Sequence, residues 1–485
     1  MSERDCAELL VKLEYFDGSS YNLIADNLEN NGTYSWDNIP LIDTNNARVR
    51  ISASDNAWNT SFQNSWAFTI DSTNPTISNI QTLENNISNW KINALKINFS
   101  EDIDDSSIVF GDFSIDGWSI TPTGISTWGS SDDNEILLLF SETWDTWDTP
   151  TLRYTGTSVA DLSGRKLLST ATLNSSDAAI PRLKNIEIFD NNSNWKLDKI
   201  EVSYSEDLNN STTISGWNID NILSGMNISS LSISWDTINL FLSESDNFDT
   251  SSNSLQLDLS SPIYSDSAGN IVESFSNQSI NDNAKPIKLS TQTLDLDNNY
   301  KADTIRFVFS ENIIWEVLWE FNIWNLSTGT TVSTVWVSWN NLDFTLNETS
   351  TDNDTDNSFT IEYTGTSLWD SNGNKVSTLS VHNSDDIIEP KILSRETWDT
   401  DNNWFIDAII ITTSENLNDN FGSTNISVEW YTVTWYTSWI ANDEIFTINI
   451  QEKLESDTYA TPNIRIISNT TLWDISWNII SDEAW

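Results

Sequence analysis

Acidic and amide residues at alternate positions give the sequence three candidate sites for a divalent cation. The turn at residues 399–407 reads DTDNNWFID, with oxygen-bearing side chains at its first, third, fifth and ninth positions. A calcium-binding loop supplies its ligands in this order, and Ca2+ takes roughly six to eight hard oxygen ligands. The candidate ligands are Asp399, Asp401, Asn403 and Asp407 in this turn, Asp295, Asp297, Asn299 and Asp303 in a second turn, and Asp190, Asn192, Asn194 and Asp198 in a third.

The same residues have a second interpretation, as turns that bind no cation. A calcium-binding loop ordinarily ends in a bidentate acid, and these turns carry Ile410, Arg306 and Glu201 at that position, so only the last of them could complete the ligand set. Asp and Asn side chains also hydrogen-bond their own backbone in turns. A fourth, related turn is too poor in charge to bind a cation well. Its equivalent positions hold Asn85, Ile87, Asn89 and Asn93.

These turns belong to an internal repeat. The residues at the sixth position of the turns are spaced 105, 105 and 104 residues apart; they are Trp90, Trp195, Tyr300 and Trp404. A second motif keeps nearly the same spacing, and its aspartates are Asp161, Asp266, Asp370 and Asp474. Agreement between two motifs over four copies indicates tandem domains of one kind.

Each repeat has the residue pattern of β-strands. Ile200, Val202 and Tyr204 alternate with polar residues, and this period of two is typical of a half-buried strand. No segment shows a helical stripe. Many short strands within about 105 residues match the size of an immunoglobulin-like sandwich. The predicted fold class is therefore all-β, with tandem immunoglobulin-like β-sandwich domains arranged as an elongated rod.

Glutamates in SE pairs recur after the first strand of each repeat. They are Glu101, Glu206, Glu311 and Glu415. They could act as catalytic carboxylates, or they could add cation ligands where two domains meet. Four identical active sites in a row would be unusual for an enzyme. A structural or cation-binding role at the end of the strand is therefore favoured.

The remaining reactive residues do not assemble an active site. His382 is the only histidine and Cys6 is the only cysteine. Neither a Ser-His-Asp triad nor a histidine-rich zinc site can be argued from a single histidine. No glycine-rich phosphate loop leads into a helix. The sequence therefore predicts that the protein is not an enzyme.

The charge of the chain limits its partners. It has 22 Lys and Arg against 72 Asp and Glu, a net charge of −50. This sign argues against nucleic acid, because phosphate binding requires basic patches, whereas it permits bound cations. No run of 18 apolar residues is present, so no membrane-spanning helix is predicted. The N-terminal residues lack a signal peptide, and we expect the true start to lie upstream.

Tryptophan stands where turns ordinarily carry glycine. The chain has 25 Trp and 15 Gly. In the second repeated motif, Gly164, Gly269 and Gly373 align with Trp477. Trp404 occupies the sixth position of the candidate loop, where calcium-binding loops carry glycine for a sharp turn. We hypothesise that most of these tryptophans are glycines in the cell, as in bacteria that read UGA codons as glycine.

The alternative is that exposed tryptophans stack on sugars, as in a carbohydrate-binding module. Such sites use a few aromatics on one face, and many exposed indoles would favour aggregation. The recoding hypothesis predicts exposed turn positions for Trp58, Trp90, Trp195, Trp404 and Trp477. It also assigns Trp144 to a turn-like run. Trp217 instead aligns with phenylalanines and is predicted to be buried.

The segments NWKINALKINFSED (89–102) and SDSAGNI (265–271) resemble the tandem immunoglobulin-like repeats of bacterial surface proteins. The resemblance lies in an "FSE" strand after an N-G-K-x-D turn and in a closing D-x-x-G-N. Residues 9–73 resemble a partial fibronectin-III or immunoglobulin-like module. The implied organisation is a tail (1–8), this module (9–73) and four repeats (74–180, 181–285, 286–389 and 390–485).

The resemblance implies a non-enzymatic, extracellular stalk or adhesin region of a bacterial cell-surface or secreted protein. Calcium would stiffen the junctions between its domains. Other cell-surface proteins or glycans are the partners that it implies. The alternative function is an accessory, carbohydrate-binding region of a secreted hydrolase, whose catalytic domain would lie outside these residues.

Overall fold

The computed structural model describes residues 9–55, 59–84, 90–116, 120–127, 129–251, 254–299, 301–315, 318–326, 329–347, 358–418, 426–466 and 472–480. Within these ranges the chain is built from β-strands. Its described helical elements are the short 3-10 turns Asp105–Ser107, Phe110–Asp112 and Leu318–Glu320. This confirms the predicted all-β fold. Of the residues singled out above, Cys6, Trp58, Asn85, Ile87, Asn89 and Tyr300 lie outside the described ranges.

The N-terminal region contributes one antiparallel sheet. Its strands are β1 (Leu10–Phe16), β2 (Tyr21–Glu29), β3 (Thr44–Ser54), β4 (Thr60–Asn64) and β5 (Phe68–Ile70). The order across the sheet is β2-β1-β3-β4, and β5 also pairs with β3. Arg50 on β3 donates hydrogen bonds of 2.9 and 2.6 Å to Glu14 on β1, and its guanidinium lies over the Tyr21 ring. An ion pair thus joins the two central strands.

The first repeat forms two sheets. Its strands are β6 (Ile77–Leu83), β7 (Lys91–Phe99), β8 (Phe113–Ile115), β9 (Gly124–Thr127), β10 (Glu135–Asp145), β11 (Thr151–Tyr154) and β12 (Leu173–Asn174). The larger sheet has the order β6-β7-β10-β9, and the smaller one has the order β12-β11-β8. Leu95 and Leu138 of the larger sheet pack with Phe113 and Tyr154 of the smaller sheet in one buried core. This is a β-sandwich.

The second repeat has the same division. Its strands are β13 (Leu183–Phe189), β14 (Lys199–Tyr204), β15 (Trp217–Asp220), β16 (Asn227–Ser234), β17 (Thr237–Ser243), β18 (Gln256–Leu259), β19 (Phe275–Ser279) and β20 (Asn281–Asp282). The sheets have the orders β16-β17-β14-β13-β20 and β15-β18-β19. The predicted strand carrying Ile200, Val202 and Tyr204 is β14, and all three side chains are buried.

The third repeat is again a larger sheet with smaller ones. Its strands are β21 (Lys288–Leu294), β22 (Thr304–Phe309), β23 (Ile314–Trp315), β24 (Phe321–Trp324), β25 (Thr331–Ser338), β26 (Asn341–Asn347), β27 (Thr360–Tyr363), β28 (Leu368–Trp369), β29 (Leu379–Asn383) and β30 (Asp385–Asp386). The sheets are β25-β26-β22-β21-β30, β24-β27-β29 and β23-β28. Phe307 and Phe344 of the larger sheet share a core with Phe321 and Tyr363 of β24 and β27.

The fourth repeat has a shorter set of described strands. They are β31 (Ile392–Trp398), β32 (Ala408–Thr413), β33 (Ile426–Val428), β34 (Val433–Thr437), β35 (Ile445–Ile450) and β36 (Ile464–Ile466). Their sheets are β31-β32-β35-β34 and β33-β36. Ile411 and Ile448 pack with Val428 and Ile464 across the two sheets. Every repeat with a described core therefore packs a larger sheet against a smaller one.

The end of a repeat pairs in parallel with its own first strand. Asn281–Asp282 of β20 lies beside Glu187–Ile188 of β13. Asp385–Asp386 of β30 lies in the same way beside β21. In the first repeat Ser176 pairs in parallel with Gln81 of β6. The last segment of these repeats thus runs in the same direction as the first strand.

By its internal contacts the chain divides into two compact units. One comprises Met1–Arg182, Ser205–Asn209 and Ile263–Glu273. The other comprises Leu183–Tyr204, Asn210–Pro262 and Ser274–Trp485. Two short segments that are predicted to belong to the second repeat are therefore part of the first unit. These segments carry Glu206 and Asp266.

Seven described tryptophans have the left-handed backbone conformation that favours glycine. They are Trp90, Trp195, Trp235, Trp339, Trp404, Trp430 and Trp477, with φ between 55° and 79°. The glycines that align with Trp477 have φ values of 86°, 95° and 93°. Residues that carry a Cβ atom lose roughly 1–2 kcal/mol in this region. The backbone at these positions therefore supports the recoding hypothesis.

The predicted environments of the tryptophans are confirmed in part. Trp90, Trp404 and Trp477 are exposed, with 41%, 72% and 70% of their surface accessible. Trp195 is half-buried, because its ring packs edge-on against Phe248 at 4.9 Å. The prediction that Trp217 is buried is wrong. Its ring is only partly covered, by Phe275 at 5.9 Å.

The assignment of Trp144 to a turn-like run is also wrong. It lies near the end of β10, has no exposed surface and packs against Phe140 at 5.1 Å. The register of β10 against β7 shifts between Leu139 and Trp144. Sequence alternation does not reveal such a shift, which decides the face to which the indole points. Trp144 is a core residue of the first repeat.

Candidate metal centres

The three predicted turns each close around the carboxylate of their first residue. Asp399 accepts hydrogen bonds from the backbone N–H groups of Asn403, at 3.0 Å, and of Trp404, at 2.8 Å. Asp190 and Asp295 accept from the fifth residue of their turns in the same way, each at 3.2 Å. These are the bonds of an Asx-rich turn. The N–H of the fifth residue also donates to the side chain of the third, which is Asn192, Asp297 or Asp401, at 3.0, 3.1 and 3.2 Å.

The ninth residue closes each turn from the other end. Asp198, Asp303 and Asp407 accept a hydrogen bond from the backbone N–H of the second residue, at 3.0, 2.8 and 2.9 Å. Burial raises the pKa of Asp198, and the nearby Asp190 and Glu244 carboxylates act in the same direction. The predicted first and ninth residues are therefore brought together in all three turns.

The turn of the third repeat gathers three carboxylates. One oxygen each of Asp295, Asp297 and Asp303 lies within 4.8 Å of the others. Asp303 is 9% exposed, and its Oδ1 has no hydrogen-bond partner in the described part of the chain. Asn299 donates its side-chain amide to Asp297 at 3.1 Å. All four predicted residues of this turn thus lie in one polar cluster that a cation would fit.

In each of the other two turns, the asparagine side chains contact a glutamate that was not predicted to take part. Glu244 accepts hydrogen bonds from the side-chain amides of Asn192, at 2.9 Å, and of Asn194, at 2.7 Å. These bonds lower the pKa of Glu244. Glu452 accepts from Asn403 at 2.9 Å. A glutamate after the strands TINLFL (237–242) and FTINI (446–450) was the sequence signal for this contact.

A second set of acidic clusters, which we call the junction triads, recurs in every repeat. Each triad combines an aspartate before a linker proline, the glutamate of the SE pair and the aspartate of the closing motif. One carboxylate oxygen of each residue lies within 4.8 Å of the other two. The junction triads are Asp71–Glu101–Asp161, Asp177–Glu206–Asp266, Asp282–Glu311–Asp370 and Asp386–Glu415–Asp474.

The closing-motif aspartate is fixed by its own turn. Asp161, Asp266, Asp370 and Asp474 each accept a hydrogen bond from the N–H four residues later, at 2.9, 2.9, 2.9 and 2.8 Å. The third residue after each aspartate has positive φ, which explains the glycine of D-x-x-G-N. All four aspartates are buried. The turn therefore holds a carboxylate inside the protein at a fixed place.

The linker aspartate is held by a short turn of its own. Asp71, Asp177, Asp282 and Asp386 each accept from the N–H two residues later, at 3.1, 3.1, 3.0 and 3.0 Å. Each lies four residues before a proline, in DSTNP, DAAIP, DNAKP and DIIEP. This recurring D-x-x-x-P was a visible signal. No role was predicted for it from the sequence.

In three of the junction triads the glutamate lies in an unfavourable environment for a negative charge. Burial raises the pKa of Glu206 to about 8, and Asp177 adds to the shift. Burial likewise raises the pKa of Glu311 to about 8, although Thr250 donates a hydrogen bond to it. The pKa of Glu101 is also raised, first by burial and then by Asp71. The structural or cation-binding role predicted from the sequence therefore concerns glutamates whose charged form is disfavoured.

His382 lies in the third repeat away from these clusters. Its Nε2 is 2.9 Å from Thr291 Oγ1, and its ring meets Phe307 edge-on. Burial lowers its pKa, Lys288 adds to the lowering, and Asp385 opposes it. Nothing in these contacts points to catalysis.

The imidazole of His382 is expected to titrate below its ordinary pKa of 6.5. Its contribution to stability is then complete above that value and is lost as the pH falls through the lower, folded pKa. Because the chain has one histidine, its C2 proton can be followed by NMR without assignment. The protein unfolded in urea provides the reference titration. A folded midpoint at or above the unfolded one would contradict the burial argument.

Within the described residues, no helix combines the length and apolarity that crossing a bilayer requires.

No protein-family model and no curated protein sequence matches the chain. Among solved structures, the S-layer protein rSbsC(31-844) is similar at 11% identity and a TM-score of 0.19, covering 84% of this chain and 68% of that one. Domains 1-6 of the surface layer protein SbsC give 10% identity and a TM-score of 0.18 over the same shares. Likeness at this level carries no conclusion about function.

Proposed function

We propose that this chain is a non-enzymatic structural region of a bacterial cell-surface or secreted protein, a stalk or adhesin whose immunoglobulin-like domains are stiffened by calcium. Repetition is the observation that supports this proposal. The same sandwich recurs about every 105 residues, with carboxylates at the same places in each copy. An enzyme concentrates its chemistry in one site. Acidic positions that recur in consecutive domains instead favour a structural role that is common to those domains.

The domains in this proposal are residues 74–180, 181–285, 286–389 and 390–485, which follow the module at 9–73 and form an elongated rod. The net charge of −50 keeps such a chain soluble and supplies the oxygen ligands that a hard cation requires. Other cell-surface proteins or glycans are its proposed partners. The candidate turn ligands include the cluster of Asp295, Asp297 and Asp303 described above.

Calcium in excess is expected to raise the melting temperature of the full chain relative to the same protein in chelator. Ligands that bind only the folded state stabilise it by mass action. Differential scanning calorimetry measures the shift, and magnesium at the same concentration provides the control for ionic strength. Asp303→Asn should reduce the calcium-induced shift of the third repeat. Identical melting curves in calcium and in chelator would contradict the calcium part of the proposal.

A further inference from the structure

The geometry of the junction triads points to a second class of site in this protein. We infer that Asp177, Glu206 and Asp266 bind a divalent cation, calcium by the chemistry of their oxygens, and that the equivalent triad of each repeat does the same. These residues are distinct from the turn ligands predicted from the sequence. The inference extends the proposed function to further residues. It rests on that proposal only for the structural role that it assigns to calcium.

Each junction triad joins segments that are far apart in the sequence. Asp177 lies in the linker before the second repeat, Glu206 follows β14, and Asp266 opens the closing turn. All three belong to the first compact unit, although the segments 205–209 and 263–273 are separated from the rest of it in the sequence. A shared ligand explains why three carboxylates converge here.

Two buried carboxylate oxygens in these clusters have no hydrogen-bond partner among the described residues. They are Oε1 of Glu206 and Oδ2 of Asp161. Both residues are only 3% exposed, so bulk water cannot solvate them freely. Burying a polar atom without a partner destabilises the fold, and the cost is larger when the group is charged. A bound cation would supply the partner that each oxygen needs.

The charges around Glu206 repel one another. One carboxylate oxygen each of Asp177, Glu206 and Asp266 lies within 4.8 Å of the other two. Negative charges this close together disfavour one another unless a counter-charge lies between them. A divalent ion offsets most of the charge of a triad. A single shared proton offsets less, and it cannot contact all three residues at once.

The ligand chemistry favours calcium over other divalent ions. The triad offers carboxylate oxygens, and neither thiolate nor imidazole takes part in it, so soft metals gain nothing here. Magnesium demands a nearly ideal octahedron, whereas calcium accepts irregular sets of oxygens from distant segments. Backbone carbonyls of the two turns and water would complete its shell.

The position of the linker aspartate gives this site a particular effect. In the third repeat Asn374 donates its side-chain amide to the carbonyl oxygen of Asp282 at 3.0 Å, and in the fourth Asn478 does the same to Asp386 at 3.1 Å. The closing turn thus already contacts the linker of the preceding repeat. A cation in the triad would lock that contact and reduce motion at the junction.

Calorimetric titration of the metal-free full chain with calcium chloride tests the inference. Glu206→Gln and Glu311→Gln should each bind one calcium ion fewer than the wild type, and the double variant should bind two fewer. Glu362→Gln is the matched control, because its carboxylate accepts a hydrogen bond from the side-chain amide of Asn322 at 3.0 Å and belongs to none of the candidate turns or triads. Circular dichroism shows whether each variant is folded. In crystals of the wild type grown with a lanthanide, we expect an anomalous peak within each triad.

The possible outcomes separate the inference from the proposed function. Unchanged stoichiometry in folded Glu206→Gln and Glu311→Gln would overturn the junction sites, while calcium-dependent melting would still support the proposed function. Lanthanide-grown crystals without peaks at the triads would overturn the inference even if both variants failed to fold. A wild-type chain that binds no calcium would overturn the junction sites and the calcium part of the proposed function together.

Discussion

Glycine in place of Trp404, Trp430 and Trp477 is expected to raise the free energy of unfolding of the fourth repeat by roughly 3 kcal/mol. All three tryptophans have positive φ, and their exposed fractions are 72%, 73% and 70%. The indoles are largely exposed, with the Trp477 ring 5.3 Å from that of Trp473 and Lys453 Nζ 5.7 Å from the Trp430 ring. Each Cβ, by contrast, strains the backbone by about 1 kcal/mol or more. The expected total is the sum of the three effects, as for sites that share no contacts. Urea unfolding of the triple variant measures the gain.

The matched control is Trp439→Gly in the same repeat. Trp439 is even more exposed, at 86%, but it is not among the residues with positive φ. Glycine there relieves no strain and makes the unfolded chain more flexible, so a neutral or slightly negative effect is expected. Equal gains at Trp439 and at the three turn positions would show that removing indole, and not backbone strain, stabilises the protein. UGG codons at the turn positions would separately contradict the recoding hypothesis.

Removal of the Arg182 guanidinium is expected to destabilise the first unit by about 3–5 kcal/mol. Arg182 Nε donates to Glu84 Oε2 at 2.6 Å, and its Nη1 lies 2.6 Å from Glu273 Oε2. The side chain of Glu84 is 2% exposed, so Arg182→Met would leave a carboxylate buried without its counter-charge. Chemical denaturation followed by fluorescence should show an earlier transition for this unit.

Two further variants make the Arg182 prediction specific. Arg153→Met removes an exposed pair, 3.4 Å from Asp116 with both side chains more than 40% accessible, and should cost well under about 1 kcal/mol. The double variant Arg182→Met with Glu84→Met should recover most of the loss, because it leaves no buried charge. Equal destabilisation by Arg182→Met and Arg153→Met would refute the role of burial.

Much of the fold could be predicted because it is repeated. Alternation identified the strand that carries Ile200, Val202 and Tyr204, and a fixed spacing located the closing aspartates. The spacing also indicated that the first and ninth residues of each turn lie close together, since the ends of a tight turn must approach each other. Their role as cation ligands stays a prediction. Local patterns of this kind determine local structure, and the sequence displays them directly.

The parts that were missed depend on contacts over long distances in the chain. A junction triad such as Asp177–Glu206–Asp266 forms only after three segments pack together, so no local pattern defines it. The D-x-x-x-P pattern marked one member, but nothing in the sequence paired it with the others. Trp144 was misplaced for a related reason. A register shift in β10 places the Trp144 indole in the core. The Trp217 ring, beside Phe275, is partly covered.

The parallel pairing of the last segment of a repeat with its first strand has a mechanical consequence. In the second repeat, Asn281–Asp282 lies beside Glu187–Ile188 and runs in the same direction. Tension applied to the two ends of this repeat pulls these segments in opposite directions along their length. The hydrogen bonds between them are then loaded in shear and must break together, whereas antiparallel ends would open one bond at a time. Repeats closed in this way are expected to resist being pulled apart by their ends.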